Sequence, residues 1–357
     1  MMKPLLGKPF AWLPGLRVFV WLYLALLCGL WLLIYTSGES WWFATLILFG
    51  PRWVSALPLV VLVPAAARWR RRLLCPLALS AVLVVWPIMG YCVPLGRPTA
   101  PDGPKLRILT CNCKGHCDNN VVLNDFIRTS AADIVALQGC WWPTQITWPE
   151  GWHVYQHGEM LVASHFPLRP VSELMHTLPA EEFVPPPNVP EAADALARLH
   201  ILGCMVSTPQ GELCFCTVHP PSPRYGIKPM LSRETVLRPS ASSSLTAEIG
   251  NRWQVYAEMS RWLHDGGDPQ IIAGDFNLPP DSPIYRKYWG SYWNAFSAAG
   301  LGFGYTEWPR LPIIRFGVRI DHILSGPNWQ PVRCWLGPDI GSDHLPLVAD
   351  LLWTAKK

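Results

Sequence analysis

From residue 18 to residue 36 the chain carries no charged side chain. At 1.5 Å of helical rise per residue, such a run crosses a hydrocarbon core of about 30 Å. Two further apolar stretches follow. Residues 41–50 and 54–67 are split by Pro51, Arg52 and Trp53, and residues 73–95 contain Pro76, Pro87 and Pro94. The prolines are expected to kink or end the last helix early. The tryptophan-bearing piece at 41–50 is expected to lie at headgroup level, leaving 54–67 to cross. A cleaved signal peptide is the weaker reading, because the first run is long and more apolar segments follow it. The composition agrees: 50% hydrophobic and only 15% charged residues are too apolar for an ordinary soluble chain of 357 residues, and the excess precedes residue 96.

Basic residues set the expected orientation. Lys3, Lys8 and Arg17 precede the first run, residues 37–40 carry no basic side chain, and Arg68, Arg70, Arg71 and Arg72 crowd the next connection. Basic ends mark the cytoplasmic side, so three crossings place everything after residue 95 outside the cytoplasm. The formal charge of +4 therefore says little about a substrate, since much of it belongs to the membrane region. Three cysteines of eleven (Cys28, Cys75, Cys92) lie in apolar runs, and the rest reveal no disulfide framework. The spacing of Cys111, Cys113 and Cys117 does not suit a zinc knuckle.

Residues 96–104, with three prolines, read as a stiff linker between a membrane module (1–95) and a soluble domain (105–357). The domain opens strand, helix, strand at 106–112, 122–129 and 133–138. Further strands are expected at 152–156, 160–164, 197–206, 213–218, 270–274, 319–324, 332–335 and 347–352. A helix with Trp253, Tyr256, Met259, Trp262 and Leu263 on one face is expected to stop at Gly266. Residues 185–190 and 222–244 read as long loops. Hairpins mixed with crossover helices imply an α/β fold of mixed sheets covered by helices.

Polar residues gather where these strands end: TCN at 110–112, TVHP at 217–220, GDFN at 274–277 and GSDH at 341–344. Any one of them reads most simply as a turn, but four in one domain point to a site. Together with RIDHIL at 319–324, they resemble the endonuclease/exonuclease/phosphatase superfamily over residues 106–352. That resemblance implies a four-layer α/β sandwich that hydrolyses phosphoesters with Mg²⁺ or Mn²⁺. Three apolar segments ahead of such a domain are similar to the membrane-anchored, glycopeptide-resistance-type subgroup.

The resemblance implies roles that the side chains can fill. Asp275 and Asn277 offer oxygen ligands to a metal and an amide to a phosphoryl oxygen. His344 takes the place of the catalytic histidine and Asp321 that of the carboxylate orienting it. Asn112 and His344 itself stand as further metal ligands, Asp343 as a further metal or water ligand, and His219 as the histidine that contacts phosphate or protonates the leaving oxygen. A strand-capping role for His219 before Pro220 is the structural alternative. His116, His200 and His264 read as surface or packing residues.

The pattern breaks at two positions. The glutamate that usually ends the DIVALQ strand is replaced by Gly139, and an acid found two residues after the first asparagine in some relatives is replaced by Lys114. Either the Lys114 ammonium shields a vacant metal position, or Lys114 points to solvent and an acid such as Glu159 replaces the lost ligand. If the site is damaged, Gly139→Glu with Lys114→Asp should raise Mg²⁺-dependent activity.

The function expected from the sequence is a membrane-anchored, extracytoplasmic, metal-dependent phosphoester hydrolase, with a lipid-linked phosphate favoured over nucleic acid. The competing readings are an impaired relative that binds a phosphorylated ligand without turnover, and an extracytoplasmic nuclease using Arg224, Lys228 and Arg233.

Overall fold

A computed structural model describes residues 13–94, 103–140, 145–177, 199–231, 239–309 and 314–354. The expected linker at 96–104 and the loop at 185–190 fall largely or wholly outside them.

The N-terminal module is helical: α1 Leu13–Ser37, α2 Trp42–Leu48, α3 Leu57–Trp69 and α4 Leu74–Leu83. A π-helical turn, Val84–Ile88, extends α4 and contains Pro87. The third segment therefore ends short of residue 95, as the prolines predict, because Pro87 cannot donate to the preceding turn. Two helices, Gly15–Ser37 and Arg71–Ile88, are long and apolar enough to cross a membrane. A third span exists if α2 and the helix from Arg52 to Trp69, bent by 85° at their break, count as one. Val20, Leu27, Ile34, Ala66, Leu77 and Val84 pack these helices together.

The domain holds two six-stranded sheets. In the first, β11 (Trp329–Leu336), β12 (Leu347–Trp353), β1 (Lys105–Asn112), β2 (Ile134–Gln138), β4 (Met160–Ser164) and β3 (His153–His157) lie in that order. In the second the order is β5 (Leu168–Thr177), β6 (Leu199–Thr208), β7 (Gly211–Val218), β8 (Ile271–Asp275), β10 (Asp321–Ser325) and β9 (Trp293–Asn294). Parallel pairing is confined to β1 with β2 and β7 with β8 among the described strands.

Strand alternation builds four layers, because successive side chains point to opposite faces. Leu106, Ile108 and Ala136 of one sheet meet Cys204, Phe215 and Ala273 of the other in the central core. On the outer face, Leu109, Val135 and Leu137 pack against Leu123 and Ile127 of α5 (Val121–Ser130), which Asn120 caps through the Leu123 N–H at 2.9 Å. On the other outer face, Ile201, Cys216 and Ile272 meet Val255, Tyr256 and Met259.

One reading of the sequence changes here. Residues 222–244 are not one loop, because α6 (Arg224–Leu231) forms inside the stretch and α7 (Pro239–Asp265) begins within it. Serines at the start of α7 read as loop because their side chains compete for backbone hydrogen bonds, yet Leu245 and Ile249 give that turn a buried face. The last four helical turns end at Asp265, where Gly266 and the positive-φ Gly267 follow. Two short helices, α8 (Pro283–Trp289) and α9 (Ala295–Ala299), were not legible from periodicity.

The buried His322 gives the fold a pH signature. Its Nε2 donates to the Leu278 carbonyl at 2.8 Å and its Nδ1 accepts from Asn294 Nδ2 at 3.1 Å, which fixes the neutral tautomer. Burial disfavours the charged ring and holds its pKa down at about 3. The folded value lies below the unfolded one, so this contribution is complete above about pH 6.5 and fades as pH falls toward 3. At pH 5 the loss is roughly 2 kcal/mol. Denaturation in detergent at pH 7 and pH 5 is expected to show that difference in the natural protein and not in His322→Gln.

Candidate active site

The site is assembled where the central strands end. Asn112 closes β1, His219 follows β7, Asp275 closes β8 and Asp321 opens β10, directly opposite Asp275 in the antiparallel register. Gly274 makes this convergence possible. A Cβ there would lie 2.2 Å from the Val218 carbonyl oxygen, so only glycine lets β8 approach β7 closely enough to bring His219 beside Asp275. Beneath the site, Gln138 Nε2 donates to Thr217 Oγ1 at 2.8 Å and to Thr110 Oγ1 at 3.1 Å, tying β1, β2 and β7 across the two sheets.

Asp275 is the centre and is 1% exposed. Its Oδ1 accepts the Asn277 N–H at 2.8 Å and its Oδ2 accepts Asn112 Nδ2 at 2.9 Å. Asn277 sits at φ 48, a left-handed conformation that asparagine tolerates, and donates its amide to the Pro220 carbonyl at 2.8 Å. Two imidazoles bring Nε2 near the same carboxylate oxygen, His219 at 3.7 Å and His344 at 3.8 Å, and His219 Nε2 lies closer still, 3.2 Å, to Asn112 Nδ2. Each is backed by a second acid. His344 Nδ1 donates to Asp321 Oδ2 at 2.9 Å, while Asp321 is held by its own N–H and that of Ile320 on Thr306 Oγ1. His219 Nδ1 lies 2.9 Å from Glu159 Oε1, at ion-pair distance.

Electrostatics follow from this crowding. Burial opposes a charge on His344, but Asp321, Asp275 and Glu307 outweigh it and raise the imidazole to about 9. Burial likewise opposes a charge on His219, and Glu159 and Asp275 raise it despite that. Burial also raises the Glu307 carboxyl, and Asp275 and Asp343 push the same way against His344 and Lys114.

All seven residues given roles by the sequence (Asn112, His219, Asp275, Asn277, Asp321, Asp343 and His344) come together at this cleft of about 250 Å³ or directly behind it. The two departures are there as well, and each corrects an expectation. Lys114 does not point to solvent: its Nζ donates to Asp343 Oδ2 at 2.6 Å and stands 3.8 Å from Glu307. Asn112 turns its NH₂ toward Asp275 while its oxygen accepts the Lys114 N–H at 3.1 Å. Glu159, by contrast, does enter the cleft as the sequence suggested. Glu307, Arg224 and Tyr225 also line it, and no motif singled out the first. His200 is a packing residue under the site, exchanging backbone and ring contacts with His219 at 3.1 Å.

Gly139 cannot be returned to glutamate. It has φ +65, and a Cβ would meet Asn112 Oδ1 and the Lys114 nitrogen, each at 2.8 Å. Gly139→Glu is therefore expected to lower both the melting temperature and any hydrolytic activity, at a backbone cost of about 1–3 kcal/mol before the clash is counted. Thermal melting and turnover of the single variant check this, and a gain in activity would contradict it.

A divalent cation nevertheless suits the donors that remain. Asp275, Asp321 and His344 bring one ligand atom each within 4.8 Å of the others. Buried Asp321 Oδ1 and Asp343 Oδ1 have no hydrogen-bond partner. Five carboxylates, counting Glu159, Glu307 and Asp343, face three cations, Lys114, Arg224 and the protonated His344. Oxygen-rich, negatively charged sites of this kind match hard cations such as Mg²⁺ or Mn²⁺.

The sequence profile of the Endonuclease/Exonuclease/phosphatase family matches residues 109–344. No curated protein matches the chain. Similar solved structures include a family protein from Bacteroides thetaiotaomicron (13% identity, 71% of this chain and 100% of that one, TM-score 0.44). A 3'-5' exonuclease from Neisseria meningitidis is similar at 18% identity over 70% of this chain and 100% of its own, with TM-score 0.44. An AP endonuclease from Archaeoglobus fulgidus is similar at 14% identity over 68% and 98%, with TM-score 0.42. By its profile match and its fold, the chain belongs to the endonuclease/exonuclease/phosphatase family.

Proposed function

We propose that this protein is a membrane-anchored, metal-dependent phosphoester hydrolase whose domain lies outside the cytoplasm and acts on lipid-linked phosphates. The observation that carries the hydrolytic reading is the pair of acid-backed imidazoles, His344 with Asp321 and His219 with Glu159, aimed at one carboxylate in an open cleft. A charged imidazole at either position can donate to a phosphoryl oxygen or to a leaving oxygen. Lys114 and Arg224 offset the negative charge of a phosphate. A bound cation, held by Asp275 with the neighbouring acids, would supply Lewis-acid polarisation of the phosphoryl group.

The membrane reading is supported by contacts on one side of the domain. Arg52 pairs with Asp281, Trp53 Nε1 donates to the Arg315 carbonyl at 3.1 Å, and Tyr305 Oη donates to the Met89 carbonyl at 3.0 Å. From that side α3 runs to the arginine cluster at residues 68–72, which the positive-inside rule assigns to the cytoplasm. The Cys117–Cys140 disulfide, which the sequence did not reveal, suits an oxidising compartment. The preference for a lipid rests on α6. Its first residues, Arg224 and Tyr225, line the cleft, while its Ile227 and Met230 pack with Trp42 and Leu46 of α2. One cleft wall is thus continuous with the helix expected at headgroup level. Three apolar segments ahead of the domain also resemble the membrane-anchored, glycopeptide-resistance-type subgroup.

Full-length protein in vesicles, supplied with a polyprenyl pyrophosphate, a phospholipid and single-stranded DNA in parallel, tests the substrate class. Turnover of a lipid phosphate is expected. Turnover of DNA alone would replace this reading with the nuclease. Lys114 clamping Asp343 favours a second reading, a binding module without turnover, and absence of turnover on all three together with saturable binding of the lipid phosphate would establish it.

A further inference from the structure

Two arginines are buried on the membrane-facing side of the domain, and only one has a carboxylate. Arg252, 2% exposed, is paired with Glu39. Arg319 is 7% exposed and pairs with no carboxylate among the described residues. Its Nε has no hydrogen-bond partner, its Nη1 contacts Cys92 Sγ at 2.9 Å, and its guanidinium sits 5.3 Å from the centre of the Phe296 ring. A buried charge without a counter-ion is costly, and burial of this kind persists where an anion completes it.

Arg319 reaches a cavity of about 540 Å³ that opens where the third apolar segment leaves the helical module. It is the one charged residue in that lining, which shares no member with the catalytic cleft. Gln330 and Ser297 add polar groups to the wall. Trp86, Trp293 and Val93 form an apolar rim, with the two tryptophans 58% and 51% exposed. A solitary cation at depth and exposed tryptophans at the rim are complementary to an amphiphile whose anionic group enters first. The volume is that of a small-molecule site.

We propose that this cavity binds the phosphate of an anionic membrane lipid on Arg319, as a structural or regulatory site separate from the catalytic cleft. The proposal rests on the membrane placement of the helices and not on hydrolysis. A lipid there would bridge the end of the third helix to β11 and α9, whose residues share the lining.

Native mass spectrometry of the full-length protein in detergent, titrated with phosphatidylglycerol or phosphatidylcholine, tests it. The expected result is about a tenfold preference for phosphatidylglycerol that Arg319→Gln abolishes and Arg319→Lys partly keeps. An equal preference in folded Arg319→Gln, or none in the natural protein, would overturn it. If Arg319→Gln does not fold, Ala298→Trp, which fills the mouth and leaves the arginine intact, decides: lost binding supports the site and unchanged binding refutes it. Displacement of phosphatidylglycerol by millimolar inorganic phosphate would assign the site to a soluble phosphate instead of a lipid. Release of the chain from membranes by alkaline carbonate would show that the membrane placement had failed, a result distinct from any of these.

Discussion

Replacing His344 with glutamine is expected to lower kcat for a phosphodiester by about a thousandfold while KM changes little. The imidazole is 1% exposed, held on Nδ1 by Asp321, and presents Nε2 to Asp275. Its proton is kept by neighbouring acids, and on the proposed reading the group lost is a donor to the reacting phosphoryl group, not a substrate anchor. Glutamine is preferable to alanine, because alanine would leave the fully buried Asp321 carboxylate with neither of its oxygens partnered. A fall in KM-linked binding with intact kcat would move His344 from catalysis to recognition. Asp321→Asn, which keeps a polar neighbour but loses the charge, is expected to show a loss in the same direction.

Replacing Glu39 with alanine is expected to destabilise the protein by about 3–5 kcal/mol, because it strands Arg252 as an unpaired buried cation. Glu39 lies in the connection between α1 and α2 and is fully buried. Its Oε1 accepts from Arg252 Nη2 at 2.8 Å and Nε at 3.0 Å, its Oε2 accepts from Ser282 Oγ, and its backbone carbonyl accepts Trp253 Nε1 at 2.6 Å. Arg252 in turn donates to the Asn277 carbonyl at 2.9 Å and to the Pro221 carbonyl at 3.0 Å. The helical module therefore reaches the backbone of a residue that supports Asp275. Glu39→Ala should lose activity as well as stability, and a domain cut to begin at residue 103 should share both defects. Glu39→Gln, able to keep several hydrogen bonds, should recover part of each. Melting of Glu39→Ala within about 1 kcal/mol of the natural protein would show that the pair contributes little.

Much of the site was legible because each contributing side chain sits at a strand end, and period-two alternation locates strand ends well. His219, Asp275 and Asp321 meet through the β7–β8 pairing and the β8–β10 register, while Asn112 and His344 come from the other sheet, where β1 pairs with β12, and the two groups meet because the sheets pack face to face. Glu159 was legible as an acid in a tight hairpin next to the gap at Gly139. Glu307 was not, because it comes from an irregular segment whose place is fixed by isolated bridges to Val318 and His344. Glu39 was hidden for a different reason: an acid between two apolar helices reads as a solvated loop residue until the domain closes over it. Strand β5 escaped notice because Arg169, Pro170 and Glu173 interrupt its pattern, and its pairing with β6 is irregular after Pro170. Gly139 reads in one dimension only as a position without its usual ligand. Its space is filled by Asn112 and the Lys114 backbone, which no one-dimensional pattern reveals.

The cleft is expected to hydrolyse phosphoesters with a divalent cation in spite of Gly139 and Lys114. Its most direct test is hydrolysis of bis(p-nitrophenyl) phosphate by the purified full-length protein, with Mg²⁺ or Mn²⁺ titrated from chelated buffer and His344→Gln run alongside. The account predicts saturable, metal-dependent turnover that is lost in the variant. Turnover that is indifferent to both metals, or equal in the variant, would contradict it.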